Sequence, residues 1–151
     1  MAMSFSLQIK DFVKTVKVRE EVVVRKLAFG LLEGVVKMSP VGNPELWKRP
    51  VKGYVGGRFR ANWQVGINAP VVGTLETKDK SGSATLAKGR QVLSGVKAGG
   101  GIIYITNNLP QAVPLEFGHS KQAPVGMVRV TVARYQAMLD KAVAEAKQDV
   151  K

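Results

Sequence analysis

Apolar and polar residues alternate strictly from residue 59 to residue 67, and this alternation constrains the fold more than any other feature of the chain. Every second residue there can face a core, and the set is Phe59, Ala61, Trp63, Val65 and Ile67. Alternation of this kind predicts a β-strand with one buried face, with Asn62 and Gln64 pointing outward. A second strand, central in the sheet and pairing near the first, is predicted over residues 102–106, which are β-branched and bounded by glycines and two asparagines.

Helical spacing dominates the two ends of the chain. Within residues 18–38 the apolar residues recur at steps of three and four, with charged residues on the other side, and Pro40 ends the segment. A shorter helix or helical prelude is predicted over 4–12. A helix over 84–96 is expected to begin at a cap from Ser81 or Ser83, and a terminal helix covers 128–146.

These elements predict an α+β fold, in which a small mixed or antiparallel β-sheet packs against long N- and C-terminal helices. We expect Trp63 and Ile103 to be buried against Leu27 and Leu31. The 151 residues match one ordinary domain, so residues 1–151 are predicted to form a single domain with an extended loop at 40–57 and a polar loop at 77–83.

The chain is strongly basic throughout. Its formal net charge is +12, of which residues 1–60 carry +7 and the remainder +5. A basic domain of this kind attracts anionic partners, nucleic acid among them, without implying sequence specificity. No apolar run approaches the roughly 20 residues that cross a bilayer, the start lacks a signal-peptide pattern, and there is no cysteine. We therefore expect a protein that folds where it is made and has no membrane partner.

The inventory of catalytic residues is poor. The one histidine, His119, lies in a Gly-His-Ser-Lys loop, and no spacing typical of metal ligands, nucleophile elbows or paired carboxylates occurs. The glycine strings at 56–57 and 99–101 lack the GxxxxGK[ST] pattern of a phosphate loop. The sequence predicts no enzyme, no catalytic residue, no cofactor and no metal site.

A candidate interaction surface lies instead in and just after the 40–57 loop, where basic and aromatic residues interleave. Aromatic side chains offer stacking or anchoring and cations offer phosphate or carboxylate contacts, so this surface suits either a neighbouring protein subunit or DNA. The aromatics Phe59 and Trp63 are assigned to the core. The predicted interface or DNA-facing residues are Trp47, Lys48, Arg49, Lys52, Tyr54, Arg58 and Arg60.

Three short segments carry a family resemblance. In chain order they are SPVG at 39–42, GRFR at 57–60 and VPLEFG at 113–118, set between two long helices. This arrangement resembles the neck and tail-completion proteins of tailed bacteriophages, also described as minor tail or head–tail joining proteins. The resemblance covers roughly residues 18–147, and an insertion at 43–56 separates the first two segments.

The resemblance implies a non-enzymatic virion protein, made in the host cytoplasm and located in the phage neck or tail. It would be one subunit of a homo-oligomeric ring at the head–tail junction that joins the tail to the capsid connector. Its partners would be other neck and tail proteins, with packaged double-stranded DNA in the channel as a further partner. A second reading, a free basic protein that binds nucleic acid or assists DNA packaging, stays open.

Overall fold

The longest element is helix α1 (Phe5–Met38), whose 34 residues extend for about 51 Å. It appears in a computed structural model that describes residues 5–150. The predicted prelude and the predicted helix over 18–38 are one continuous helix, because residues 13–17 contain no glycine or proline to interrupt it. Ser4, where the prelude was expected to begin, lies outside the described residues.

The sheet has two antiparallel strands in the described part of the chain, β1 (Gln64–Ile67) and β2 (Ile103–Thr106). Gln64 lies opposite Thr106 and Ile67 lies opposite Ile103, so the predicted pairing is confirmed. The prediction that 102–106 forms a central strand is wrong, because each strand has only one neighbour.

The first half of the predicted 59–67 strand is also wrong, because Arg58–Ala61 form a short helix, α2. Phe59 and Trp63 are four residues apart, a spacing that shares one side in a helical turn as well as in a strand. Their rings meet edge to face with centroids 6.2 Å apart. Arg58 and Arg60 therefore do not share the face of a strand.

Helix α3 (Ser83–Leu93) confirms the predicted helix but starts differently. The N-cap residue is Gly82 rather than a serine, although the Ser81 hydroxyl accepts from the N–H of Ser83 (3.2 Å). The Asp79 carboxylate accepts hydrogen bonds from the backbone N–H groups of Gly82 (2.9 Å) and Thr85 (2.8 Å). After β2 follow α4 (Ala112–Glu116), α5 (Val128–Ala133) and α6 (Tyr135–Asp149). The predicted terminal helix is thus divided, because the backbone of Arg134 leaves the helical conformation between α5 and α6.

The core forms where α1 meets the sheet, α3 and the start of α5. The buried stripe of α1 consists of Ala28, Leu32, Val35 and Val36. Leu27 and Leu31, predicted for this position, are only half-buried. They lie between two covered sides of α1, since Leu32 faces Gly89 of α3 and Gly30 faces Met138 of α6. The α+β class with long terminal helices and a small antiparallel sheet is confirmed.

Glycine permits two close helix contacts with α1. A Cβ atom at Gly34 would lie 2.6 Å from Cγ2 of Thr131 in α5, and one at Gly89 of α3 would lie 2.1 Å from Cδ2 of Leu32. Both distances are far below a normal carbon–carbon contact of about 3.5–4.0 Å. The two helices therefore approach α1 more closely than any larger residue would allow.

We predict opposite effects for two glycine substitutions in α1. Gly34→Ala should lower the free energy of unfolding by about 1–3 kcal/mol, because the methyl group forces Thr131 and α5 outward. Gly30→Ala is the matched control, since its Cβ would lie 3.7 Å from Sδ of Met138. That variant should gain up to about 1 kcal/mol of helix propensity. Urea denaturation measures both, and equal effects would contradict the close packing of α5.

Candidate interaction surface

The 40–57 loop leaves the body and returns to the same place. A Cβ atom at Gly56 would lie only 2.3 Å from the carbonyl oxygen of Gly42, so the two ends of the excursion touch. Gln122 fixes the first residues of the loop, because its side chain accepts a hydrogen bond from the N–H of Val41 (3.1 Å) and donates one to the Val41 carbonyl (2.9 Å). The loop is therefore an excursion with a closed base.

Two aromatic rings brace the loop. Trp47 and Tyr54 lie with ring centroids 4.7 Å apart and planes tilted by 53°, and each is 39% exposed. Gly42 lies under the Tyr54 ring, and a Cβ atom there would be 2.6 Å from the phenol oxygen. The structure thus brings together the two aromatic residues that the sequence assigned to the surface, and leaves part of each ring accessible.

Lys48, Arg49 and Lys52 lie between these two aromatics along the chain. All three are exposed, and none makes an ion pair or a side-chain hydrogen bond within residues 5–150. Their charges are therefore not neutralised by any neighbour in the described part of the molecule. Such cations are available to a carboxylate or a phosphate of a partner.

Arg58 and Arg60 behave differently, because both are engaged within the chain. The Arg58 guanidinium donates to the Leu75 carbonyl (3.2 Å) and pairs with Glu76 (2.6 Å). The Arg60 guanidinium donates to the carbonyls of Lys80 and Ser39, both at 2.6 Å. Burial lowers the pKa of Arg60, against the opposing effect of nearby Asp79. Arg60 thus holds the residue before the loop, Ser39, whereas Arg58 binds the extended segment after β1.

A buried polar chain links the end of α1 to the start of the sheet. The indole Nε1–H of Trp63 donates to Oγ of Ser39 (2.6 Å), and this hydroxyl donates to the carbonyl of Val35 (2.6 Å). Ser39 is 2% exposed and Trp63 is 8% exposed. The sequence placed Trp63 in the core but did not identify its partner.

The prediction for Asn62 is wrong. The alternation placed its side chain outward, but the residue is fully buried. Its amide nitrogen donates to the carbonyls of Arg58 (2.7 Å) and Leu75 (2.9 Å), and its oxygen accepts from the N–H of Leu75 (2.7 Å). The amide thereby ties the extended segment after β1 back to α2. No local sequence signal indicates this, because Leu75 is thirteen residues away.

Glu116 at the end of α4 holds the start of α5. Its carboxylate accepts from the N–H groups of Met127 (2.8 Å), Val128 (2.8 Å) and Arg129 (3.0 Å). Burial raises the pKa of Glu116, but these hydrogen bonds and the one from the Arg129 side chain outweigh it, so the net pKa is lowered. The sequence singled out the 113–118 segment without assigning this role to its acid.

Three surface clefts accompany these features. One of 530 Å³ lies at the loop base and includes Tyr54 and Gln122, and one of 430 Å³ lies between β1 and α3. A third, of 240 Å³, is lined by residues of α2, α4 and α5. Among residues 5–150 no group of three or more His, Asp or Glu side chains could hold a metal ion. In the same residues no helix has the length and apolar character needed to cross a membrane.

Comparison with known proteins adds no relative. No protein-family model matches the chain, and neither the search of curated proteins nor that of solved structures returns a match.

We predict unequal roles for the two arginines at the loop base. Arg60→Gln should lower the free energy of unfolding by about 1–3 kcal/mol, because the carbonyls of Lys37, Ser39 and Lys80 lose a charged donor. Arg58→Gln should cost less than about 1 kcal/mol, because its ion-pair partner Glu76 is 85% exposed. Thermal or urea unfolding of both variants tests this, and a larger loss for Arg58→Gln would contradict it.

A second prediction concerns acid stability. A carboxylate with a lowered folded-state pKa contributes stability above its unfolded pKa, and that contribution is lost as the pH falls through the folded value. Glu116 and Asp79 both have a lowered pKa. The free energy of unfolding should therefore decrease as the pH is lowered below about 4.5. Glu116→Gln should make this dependence of stability on pH less steep. An unchanged slope in the Glu116→Gln variant would contradict this prediction.

Proposed function

We propose that this protein is a non-enzymatic structural subunit of a tailed bacteriophage, which forms a homo-oligomeric ring at the head–tail junction and joins the tail to the capsid connector. The observation that carries the proposal is the family resemblance of the segments 39–42, 57–60 and 113–118. Their placement in space supports it, because segments that are distant in sequence lie against one another. Arg60 donates to the carbonyl of Ser39, and Phe59 lines one groove with Val113 and Phe117.

The 43–56 insertion fits this proposal as an added contact element. Because its ends meet at Gly42 and Gly56, it can be inserted without separating the segments on either side. Beyond its base it exposes apolar side chains, with Leu46 77% and Val51 59% accessible. Exposed apolar and aromatic residues beside cations are what a protein interface uses for anchoring and for orientation.

The basic character fits a ring around DNA. A closed ring repeats the same surface in every subunit, so an uncompensated cation on one chain becomes a band of positive charge. Such a band attracts the phosphates of packaged DNA at long range. Lys48, Arg49 and Lys52 are candidates for contacting the DNA phosphates. They could equally pair with acidic groups of a neighbouring neck or tail protein.

The alternative function is a free nucleic-acid-binding or packaging accessory protein. The same three cations favour it, together with the accessible ring surfaces of Trp47 and Tyr54, which could stack on bases. Oligomeric state without DNA separates the two functions, since a ring component assembles with itself or with phage parts and an accessory protein of this kind does not need to.

We predict that the purified protein forms rings in the absence of DNA, as measured by native mass spectrometry and negative-stain microscopy. Replacing Lys48, Arg49 and Lys52 with Gln should impair ring formation or attachment to phage neck parts. The matched control replaces the exposed Lys88, Lys121 and Lys147 with Gln, which removes the same charge elsewhere and should leave assembly intact.

The accessory function predicts a different pattern. The wild type would be a monomer that shifts on DNA, and the loop variant would bind DNA with a slope of log K against log salt smaller by about 2–3, as expected for three lost phosphate contacts. A monomer with that salt dependence would overturn the ring proposal.

A further inference from the structure

The first part of α1 extends beyond the rest of the molecule. Helix α6 ends beside Arg19, whose guanidinium donates to the carbonyl of Val150 at 3.0 and 3.1 Å. Further along α1, Lys26 pairs with Glu145 and Asp149. Residues 5–18, called the arm from here on, therefore continue for about 21 Å past the last turn of α6.

The arm carries an apolar face. Ile9, Phe12, Val13 and Val16 follow the helical spacing of three, four and seven residues, and their exposed fractions are 47%, 67%, 44% and 45%. At about 100° per residue, the three lysines of the arm lie together on one flank of this face. Steps of seven residues from Val16 lead through Val23 to Gly30, which contacts Met138 of α6. The apolar face of the arm thus continues the face that α6 covers in the body.

Leaving this face in water is costly. An aromatic side chain carries about 150–250 Å² of surface, so Phe12 alone exposes roughly 100–170 Å². Soluble proteins rarely expose a contiguous apolar patch of more than a few hundred Å², and a larger one marks an interaction site. Helix α6 ends at Asp149 and does not extend over this face.

A second apolar surface, concave rather than convex, lies on the same chain. The 240 Å³ groove between α4 and α5, called the α4–α5 groove, has Phe59, Trp63 and Met127 in its lining. Val113 and Phe117 stand at its rim, each 66% exposed. An apolar cavity of about 150 Å³ accommodates benzene, so this groove is large enough for one phenyl ring.

We propose that the arm of one copy of this chain docks onto the α4–α5 groove of a second copy, with Phe12 inserted between Val113 and Phe117. A protruding apolar ridge and a matching apolar hollow on one chain make a second copy the occupant that covers both. Because the two surfaces differ, the contact is heterologous: each subunit keeps a free arm or groove until the chain of contacts closes into a ring. The inference rests on the proposed ring-forming function and names the contact that would build the ring.

An anionic lipid surface is the competing occupant. The arm carries Lys10, Lys14 and Lys17 against a single acid, Asp11, and a basic amphipathic helix can lie in a membrane interface. Lipid binding would cover the arm but leave the α4–α5 groove uncovered, whereas docking of a second copy covers both. The observations therefore favour a second copy, and lipid binding becomes an outcome of the test.

The test uses two variants of the full chain. Phe12→Glu disables the arm and Val113→Glu disables the groove, and both positions are exposed, so circular dichroism should show an unchanged fold. Light scattering after size-exclusion chromatography should give a ring for the wild type and a monomer of 16.3 kDa for each variant alone. Lys14→Gln, which makes the same change of charge on another side of the arm, should still form the ring.

Mixing the variants distinguishes the geometry. Phe12→Glu keeps its groove and Val113→Glu keeps its arm, so an equimolar mixture should form a dimer and no larger species. The chain has no cysteine, so a disulfide trap is specific. Oxidising a mixture of Phe12→Cys and Val113→Cys proteins should give a cross-linked dimer of both, whereas either variant alone should not cross-link.

Several results would overturn the inference. Efficient cross-linking of Phe12→Cys alone would show that arms pair with arms. A Phe12→Glu protein that still forms rings would show that the ring uses another contact, and the proposed function would survive. A wild-type monomer that binds phosphatidylglycerol vesicles through Phe12 would show lipid as the occupant. A wild-type monomer that does not assemble would count against the proposed function itself.

Discussion

The buried hydrogen bond from the Trp63 indole to Ser39 is the interaction on which the rest of the structure depends. An unpaired indole N–H in the core would cost about 1–3 kcal/mol, and Ser39 removes that cost while its own hydroxyl donates a hydrogen bond to the Val35 carbonyl. Arg60 binds the carbonyl of the same serine. The end of α1 is thereby fixed to α2 and to the start of β1 by two independent contacts.

Fixing this junction determines where the flanking segments go. The loop must leave and return at one place, because its start follows Ser39 and its end precedes Arg58. Asn62 then secures the extended segment that follows β1, through three hydrogen bonds to Arg58 and Leu75. A small sheet of two short strands has little stability of its own, so these polar contacts and the packing on α1 hold it in place.

Three surfaces of the molecule stay exposed within residues 5–150. These are the basic loop, the apolar arm and the α4–α5 groove. The first offers charge and aromatic rings, whereas the other two offer exposed apolar side chains. Such surfaces support the proposed role of a subunit that joins copies of itself and neighbouring proteins.

The sequence by itself determined the elements with a strong period: a helix over 18–38, two paired strands that include residues 64–67 and 103–106, a helix near 84–96 and a helical C-terminus. It also identified the exposed loop residues Lys48, Arg49 and Lys52. Tertiary structure decided what a period cannot distinguish. Phe59 and Trp63 share one side in either a strand or a helical turn. The hydrogen bonds of Asn62, Ser39 and Arg60 stabilise the helical turn. Packing of α3 and α6 against α1 likewise decided which face of α1 is buried. The buried residues are Ala28, Leu32 and Val35 rather than the predicted Leu27 and Leu31.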